Sequence, residues 1–209
     1  MGISTAGQQT SARWDDLYRT GWNFRPLSGV EPHRLNLHTH RGQGQHAVDA
    51  GCGTGALARQ LHAQGYTVTG IDISTVALDI AQRGRRPPRH LRYLHHDLDG
   101  GDPPCIPLGE ISLVTCRLTL AHLRNAAGWV KRVRTTWLRP GGILFVLTPI
   151  VGGLAAVQWE YEGLQQSQIV EIAGQGWGKV TSYSHGSNTL YLVLRSRTDA
   201  PAVEGAGGT

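Results

Sequence analysis

Residues 45–72 constrain the fold more than any other stretch of the chain. A short apolar run over residues 45–50 leads directly into Asp49-Ala50-Gly51-Cys52-Gly53-Thr54-Gly55; residues 56–64 then carry helical periodicity as far as Gly65, and residues 66–72 form a second apolar run. Strand, glycine loop, helix and strand make a βαβ unit, whose two strands lie parallel because the helix has to cross over between them. The alternation continues: Ser74 caps a helix through residue 83, residues 91–95 and 111–116 read as strands, 125–137 as a helix and 142–147 as a strand. Each right-handed crossover buries its helix on the sheet, so the expected architecture is an α/β, doubly wound sheet with helices on both faces. After Pro149 the pattern changes to a Gln-rich helix, residues 164–173, and two strand-like runs, 178–184 and 189–195, separated only by His185-Gly186-Ser187-Asn188. That spacing predicts a hairpin and a seven-stranded, mostly parallel sheet with an antiparallel C-terminal pair.

Ahead of this unit, residues 12–20 read as an amphipathic helix with Trp14, Leu17 and Tyr18 on one side, and residues 34–40 as a second helix. Residues 12–197 are expected to form one domain, with a flexible N-terminus over 1–11 and a Gly/Ala-rich disordered tail over 198–209. No run approaches the roughly 18–20 uncharged apolar residues that a bilayer span needs, and the first residues lack a signal-peptide pattern, so the expected location is the cytosol. The three cysteines, Cys52, Cys105 and Cys116, lack CxxC spacing, and His38-Thr39-His40 and His95-His96 lack partner ligands, which argues against disulfides and metal. A net charge of +5 is carried almost wholly by Arg, with Lys only at 131 and 179. The basic run Arg83, Arg85, Arg86, Arg89 and Arg92 reads as a solvated loop and not as an RNA track.

A glycine cluster between a strand and a helix lets a nucleotide-like ligand approach backbone N–H groups. Gly51, Gly53 and Ala56 satisfy the dinucleotide pattern as well, so a NAD-binding protein is one reading. Three acids favour S-adenosylmethionine instead. Asp49 precedes Gly51 by two residues, where a carboxylate binds an amino group and repels a pyrophosphate. Asp72 lies 21 residues after Gly51, near the roughly 20 expected for an acid accepting from ribose hydroxyls. Asp97 follows the third strand and can accept from an adenine amine while Leu98 packs on the ring.

On these motifs the chain resembles the class I S-adenosylmethionine-dependent methyltransferases, whose fold is Rossmann-like, and in particular their short thiopurine and tellurite-resistance type. Asp49 to Gly55 matches the first family motif, Ile71-Asp72-Ile73 the second, Asp97-Leu98 the third, and Leu138-Arg139-Pro140-Gly141-Gly142 the turn before strand five. The resemblance implies that Asp49, Ala50, Gly51, Cys52, Gly53, Thr54, Gly55, Asp72, Ile73, Asp97 and Leu98 hold the cofactor. It also implies that residues 12–40 form a helical lid, because Trp14-Asp15-Asp16-Leu17-Tyr18 has the family's Trp-Asp-x-x-Tyr form.

Ligands of open α/β sheets bind beyond the carboxyl ends of the strands, which directs attention to residues 117–123. Arg117 is expected to pair with a carboxylate of cofactor or acceptor, His122 to act as a base near neutral pH, and Trp14, Tyr18 and Trp22 to shield the site. An Asn-Pro-Pro-Tyr-type motif, associated with base methylation in related enzymes, is absent, since Thr115-Cys116-Arg117-Leu118 stands there. The expected acceptor is therefore N or O of a small molecule of specialised metabolism. An RNA or protein methyltransferase and a non-catalytic cofactor-binding protein are the alternatives.

Overall fold

The structure, a computed structural model, describes residues 11–22, 27, 29–39, 42–83, 88–151, 163–186 and 188–198. The predicted N-terminal segment up to residue 10, the tail beyond 198, and His40, Arg85, Arg86, Pro87 and Ser187 lie outside the described residues. Among the described residues, six α-helices and seven strands follow in the order α1 (Ser11–Arg19), α2 (Val30–His38), β1 (His46–Ala50), α3 (Ala56–Ala63), β2 (Thr67–Asp72), α4 (Thr75–Gln82), β3 (Leu91–His95), β4 (Ile111–Arg117), α5 (Ala126–Arg132), β5 (Leu138–Pro149), α6 (Gln166–Ala173), β6 (Lys179–His185) and β7 (Thr189–Arg195). The strands form one sheet in the order β3-β2-β1-β4-β5-β7-β6. The first five run parallel, and β7 is antiparallel to both β5 and β6. This is the Rossmann-like, seven-stranded α/β sheet with an antiparallel C-terminal hairpin.

Strand periodicity divides the core in two. Val48 and Ala50 of β1, Val114 and Cys116 of β4, and Leu144 and Val146 of β5 join one apolar cluster with Trp129 of α5 and Ile172 of α6. Their alternates Ala47, Leu113, Phe145 and Leu147 join the other, with Leu35 of α2 and Ala58 and Leu61 of α3. A strand clothed on both faces is buried at nearly every position, as β4 is, and its polar Ser112 and Thr115 hydroxyls there are hydrogen-bonded to the His46 carbonyl and to Asp49.

The N-terminal lid region predicted over 12–40 is two helices in the structure, because Gly21 stops the first. Gly21 adopts φ +81°, its N–H returns to the Tyr18 carbonyl at 3.2 Å, and the Trp22 N–H reaches the Leu17 carbonyl at 3.2 Å. This is a Schellman closure, which glycine accommodates without a Cβ penalty. Helix α2 starts at Val30 and not at 34, with Pro32 in its first turn where a missing N–H costs nothing. Two further boundaries moved. The helix predicted over 125–137 is α-helical only to Arg132 and continues as a π-turn, Val133–Trp137. Trp137 there is fully buried and its indole N–H donates to Asp102 at 2.6 Å. The Leu138-to-Gly142 turn is drawn into β5 itself, with a register shift opposite Ile111/Leu113.

Helix α5 offers a local test of the reading. Asn125 is its N-cap, with Oδ1 accepting from the Gly128 N–H at 2.8 Å. Asn125→Ala should lower stability by about 1 kcal/mol, read as a shifted urea midpoint with unchanged slope. No described helix is long and apolar enough to cross a membrane.

Candidate active site

Strand order reverses beside β1: the chain runs outward through β2 and β3, then crosses back to place β4 on the other flank. The carboxyl ends of β1 and β4 therefore diverge into a crevice, where ligands of such sheets bind. A cleft of about 1080 Å³, solvent at its mouth included, opens there. Gly51, Cys52, Gly53 and Thr54 form its floor, Asp49, Asp72, Ile73, Asp97 and Leu98 one wall, and Arg117 and His122 another. Ala50 and Gly55 are not on the cleft surface. Ala50 is fully buried and belongs to the sheet core, while Gly55 backs onto Tyr93.

Asp49 is the most constrained of the acids. It is 1% exposed; Thr115 Oγ1 donates to its Oδ1 at 2.8 Å, and its buried Oδ2 has no hydrogen-bond partner. Burial pushes its carboxyl up to about 6, against the lowering effect of the Thr115 hydroxyl. A buried carboxylate oxygen left unpaired costs free energy until a donor reaches it.

Asp72 accepts from the Gly53 N–H at 2.7 Å and from the Ser74 N–H at 2.8 Å, and burial raises its carboxyl above the usual range. A carboxylate offers about four lone-pair sites, so two backbone donors leave room for hydroxyls. Asp97 caps a short 3₁₀ turn, Leu98–Gly100, by accepting from the Asp99 N–H at 2.9 Å, and Leu98 is buried. Burial holds the Cys52 thiol well above its ordinary range, so it stays protonated on the cleft floor.

The other wall departs from the sequence expectations in two places. Arg117 meets a carboxylate from its own chain: Nε donates to Glu31 Oε2 at 2.6 Å and Nη2 to Oε1 at 3.1 Å, with both side chains under 15% exposed. The forked pair ties α2 to the end of β4. Trp22 does not reach the cleft; it lies past the Schellman turn and is 44% exposed. Trp14 and Tyr18 do line it, and the Trp14 ring stands edge-on to His122 with centroids 5.0 Å apart. His122 closes a 3₁₀ turn, Leu120–His122, right after β4. Glu31 and Asp99 were not singled out from sequence; His96 was weighed there only as a metal ligand and Thr119 only within residues 117–123. Of these, His96 and Asp99 flank the Asp97-Leu98 pair and so sat beside a legible motif. Glu31 lies 86 residues from Arg117 and gave no local signal. Among the described residues there is no group of three or more His, Cys, Asp or Glu able to hold a metal.

Comparison with known proteins agrees with this geometry. Residues 48–144 match the family model described as a methyltransferase domain. The chain is 33% identical over 147 residues to the ubiquinone biosynthesis O-methyltransferase of Albidiferax ferrireducens, an alignment covering 66% of this chain and 56% of that protein. The chain thus spans little more than half the length of that curated relative. Its fold is similar to that of Haemonchus contortus phosphoethanolamine N-methyltransferase 2, solved with phosphomonomethylethanolamine and S-adenosylhomocysteine, at 18% identity and TM-score 0.72 over 90% of this chain and 59% of that one. It is also similar to the [4+2]-cyclase SpnF, at 15% identity and TM-score 0.70 over 95% and 99% of the two chains. With the strand order, the glycine loop and the matched domain in agreement, the chain belongs to the class I S-adenosylmethionine-dependent methyltransferase family.

Proposed function

We propose that this chain is an S-adenosylmethionine-dependent methyltransferase acting, in the cytosol, on a hydroxyl of a small molecule. The observation that carries the cofactor is the buried, unpartnered Oδ2 of Asp49 beside the glycine floor. An α-ammonium group satisfies such an oxygen, whereas the pyrophosphate of a dinucleotide is repelled by it. An oxygen acceptor is supported by relatives named as O-methyltransferases.

When bound, S-adenosylmethionine supplies a methyl group already activated by its sulfonium, so the protein's work is alignment, exclusion of water and proton removal. Asp49 would hold the amino group, Asp72 the ribose hydroxyls, and Asp97 with Leu98 the adenine. Trp14 and Tyr18 close the outer wall against water and present π faces to a cation. Arg117, oriented by Glu31, keeps its positive charge at the acceptor end, and His122 takes the acceptor proton.

The reading is tested by calorimetry with S-adenosylhomocysteine and by a panel of hydroxylated acceptors scored for a gain of about 14 daltons, one CH₂. Absence of cofactor binding in the pure protein would sink it. His122→Asn should lower kcat about 100-fold and leave the affinity for S-adenosylhomocysteine unchanged. A loss of cofactor affinity without a kcat effect would remove His122 from the proton-transfer role.

A further inference from the structure

One carboxylate of helix α1 gathers several donors from the start of α4. Asp15, 9% exposed, receives three donors from the start of α4: Ser74 Oγ at 2.6 Å and the Val76 N–H at 3.2 Å on Oδ1, and Thr75 Oγ1 at 3.3 Å on Oδ2. The first N–H groups of a helix have no partners within it, so a carboxylate there is stabilised by hydrogen bonds and by the helix dipole together. Ser11, one turn earlier on α1, adds a bond from its hydroxyl to the Ile73 carbonyl at 2.9 Å.

These contacts fall on the four residues that directly follow Asp72. From Ser74 the hydrogen bonds continue inward: its N–H donates to Asp72 Oδ1 at 2.8 Å, and the Gly53 N–H donates to Asp72 Oδ2 at 2.7 Å. A continuous line of bonds thus runs from α1 to the glycine floor. Residues 14, 15 and 18 share one helix face by the 3.6-residue period, so the same face that presents Asp15 to α4 presents Trp14 and Tyr18 to the cleft. The Tyr18 hydroxyl closes directly over Gly53, 2.7 Å from where a Cβ would stand. A buried carboxylate in the middle of an inward stripe is costly unless it is satisfied; beside Arg19 of its own helix, 3.8 Å away, Asp15 takes its three hydrogen-bond donors from α4, with α1 docked in this register.

We infer that Asp15 is a positioning residue for cofactor retention: through Ser74 it sets the register of α1, so that Trp14 and Tyr18 wall the cleft while Asp72 keeps its orientation. The inference rests on the cofactor reading given above. It implies that cofactor exchange proceeds through release of α1 from the start of α4.

The test uses the full chain with S-adenosylhomocysteine as the probe. Asp15→Ala and Ser74→Ala should each weaken binding about tenfold or more, mainly through faster dissociation, and the double variant should lose less than the sum of the two single losses, since both cut one shared bond. Amides of α1 should exchange with solvent about tenfold faster in Asp15→Ala than in the wild type without ligand. An affinity unchanged within about twofold, or losses that add fully in the double variant, would overturn the role. A lower melting temperature with unchanged affinity would reduce Asp15 to a structural residue and overturn it equally. If the wild type binds no S-adenosylhomocysteine, the cofactor reading fails separately; exchange then decides the docking of α1, and unchanged protection overturns the inference.

Discussion

Replacing Asp49 with Asn should make the protein more stable and unable to hold S-adenosylmethionine. In the folded chain the carboxyl is pushed up to about 6 by burial, from an ordinary 3.8. The folded state therefore binds a proton more readily than the unfolded one between those two values, and stability falls as pH rises through the window. Above it, the buried charge costs at most about 3 kcal/mol at 1.36 kcal/mol per unit. Asn retains an oxygen for the Thr115 hydroxyl, which sits 2.8 Å from Oδ1, and removes the charge. Thermal denaturation at pH 7.5 should show the variant melting higher than the wild type, with the difference shrinking below pH 6 and vanishing near pH 4. Calorimetry should show the opposite for the ligand. Leaving a buried ammonium without its counter-charge costs about 3–5 kcal/mol, a loss of roughly a hundredfold to several thousandfold in affinity. Wild-type affinity should itself decline by about tenfold per pH unit below pH 6, as the carboxylate is protonated before binding. A variant both destabilised and fully binding would refute the role given to Asp49.

Gly51→Ala should be the most damaging single methyl in the glycine loop. Gly51 has φ +71°, and a Cβ on it would fall 2.0 Å from Thr119 Oγ1, 2.5 Å from its Cγ2 and 2.7 Å from its Cβ. The backbone conformation costs an L-residue about 1–2 kcal/mol, and forcing an extra methyl against a packed side chain costs about 1–3 kcal/mol more. The loop cannot relax cheaply, because the Gly51 and Cys52 N–H groups both donate to the Ile71 carbonyl, at 2.8 and 2.9 Å. The expected result is a urea midpoint lowered by the equivalent of about 2–5 kcal/mol and no detectable binding of S-adenosylhomocysteine. The two components separate in a second variant. Gly51→Ala combined with Thr119→Gly removes the clash and leaves the backbone cost, so it should recover part of the stability lost by Gly51→Ala. No recovery would show that backbone conformation alone excludes Ala at this position.

The local chemistry of the glycine loop was legible in the chain, and so was the alternation around it. A strand buried on both faces is mostly apolar, a helix must show its 3.6-residue face, and a loop approaching a ligand must lack side chains; each rule acts within about ten residues. The same locality placed Asp49, Asp72 and Asp97 at consecutive strand ends, from which a parallel sheet brings them into one cleft. Relations between distant segments left no such trace. That Glu31 of α2 would meet Arg117, that Gly21 would turn Trp22 away from the cleft, and that Asp15 would cap α4 follow from how α1 and α2 dock on the finished sheet. Docking is set by side-chain complementarity across 59 to 86 residues of intervening chain. Periodicity and propensity carry no information at that range. The amino-acid order therefore settled the sheet, the glycine loop and the family, while the path of the N-terminal helices over the cleft was settled by packing and by buried charges seeking partners.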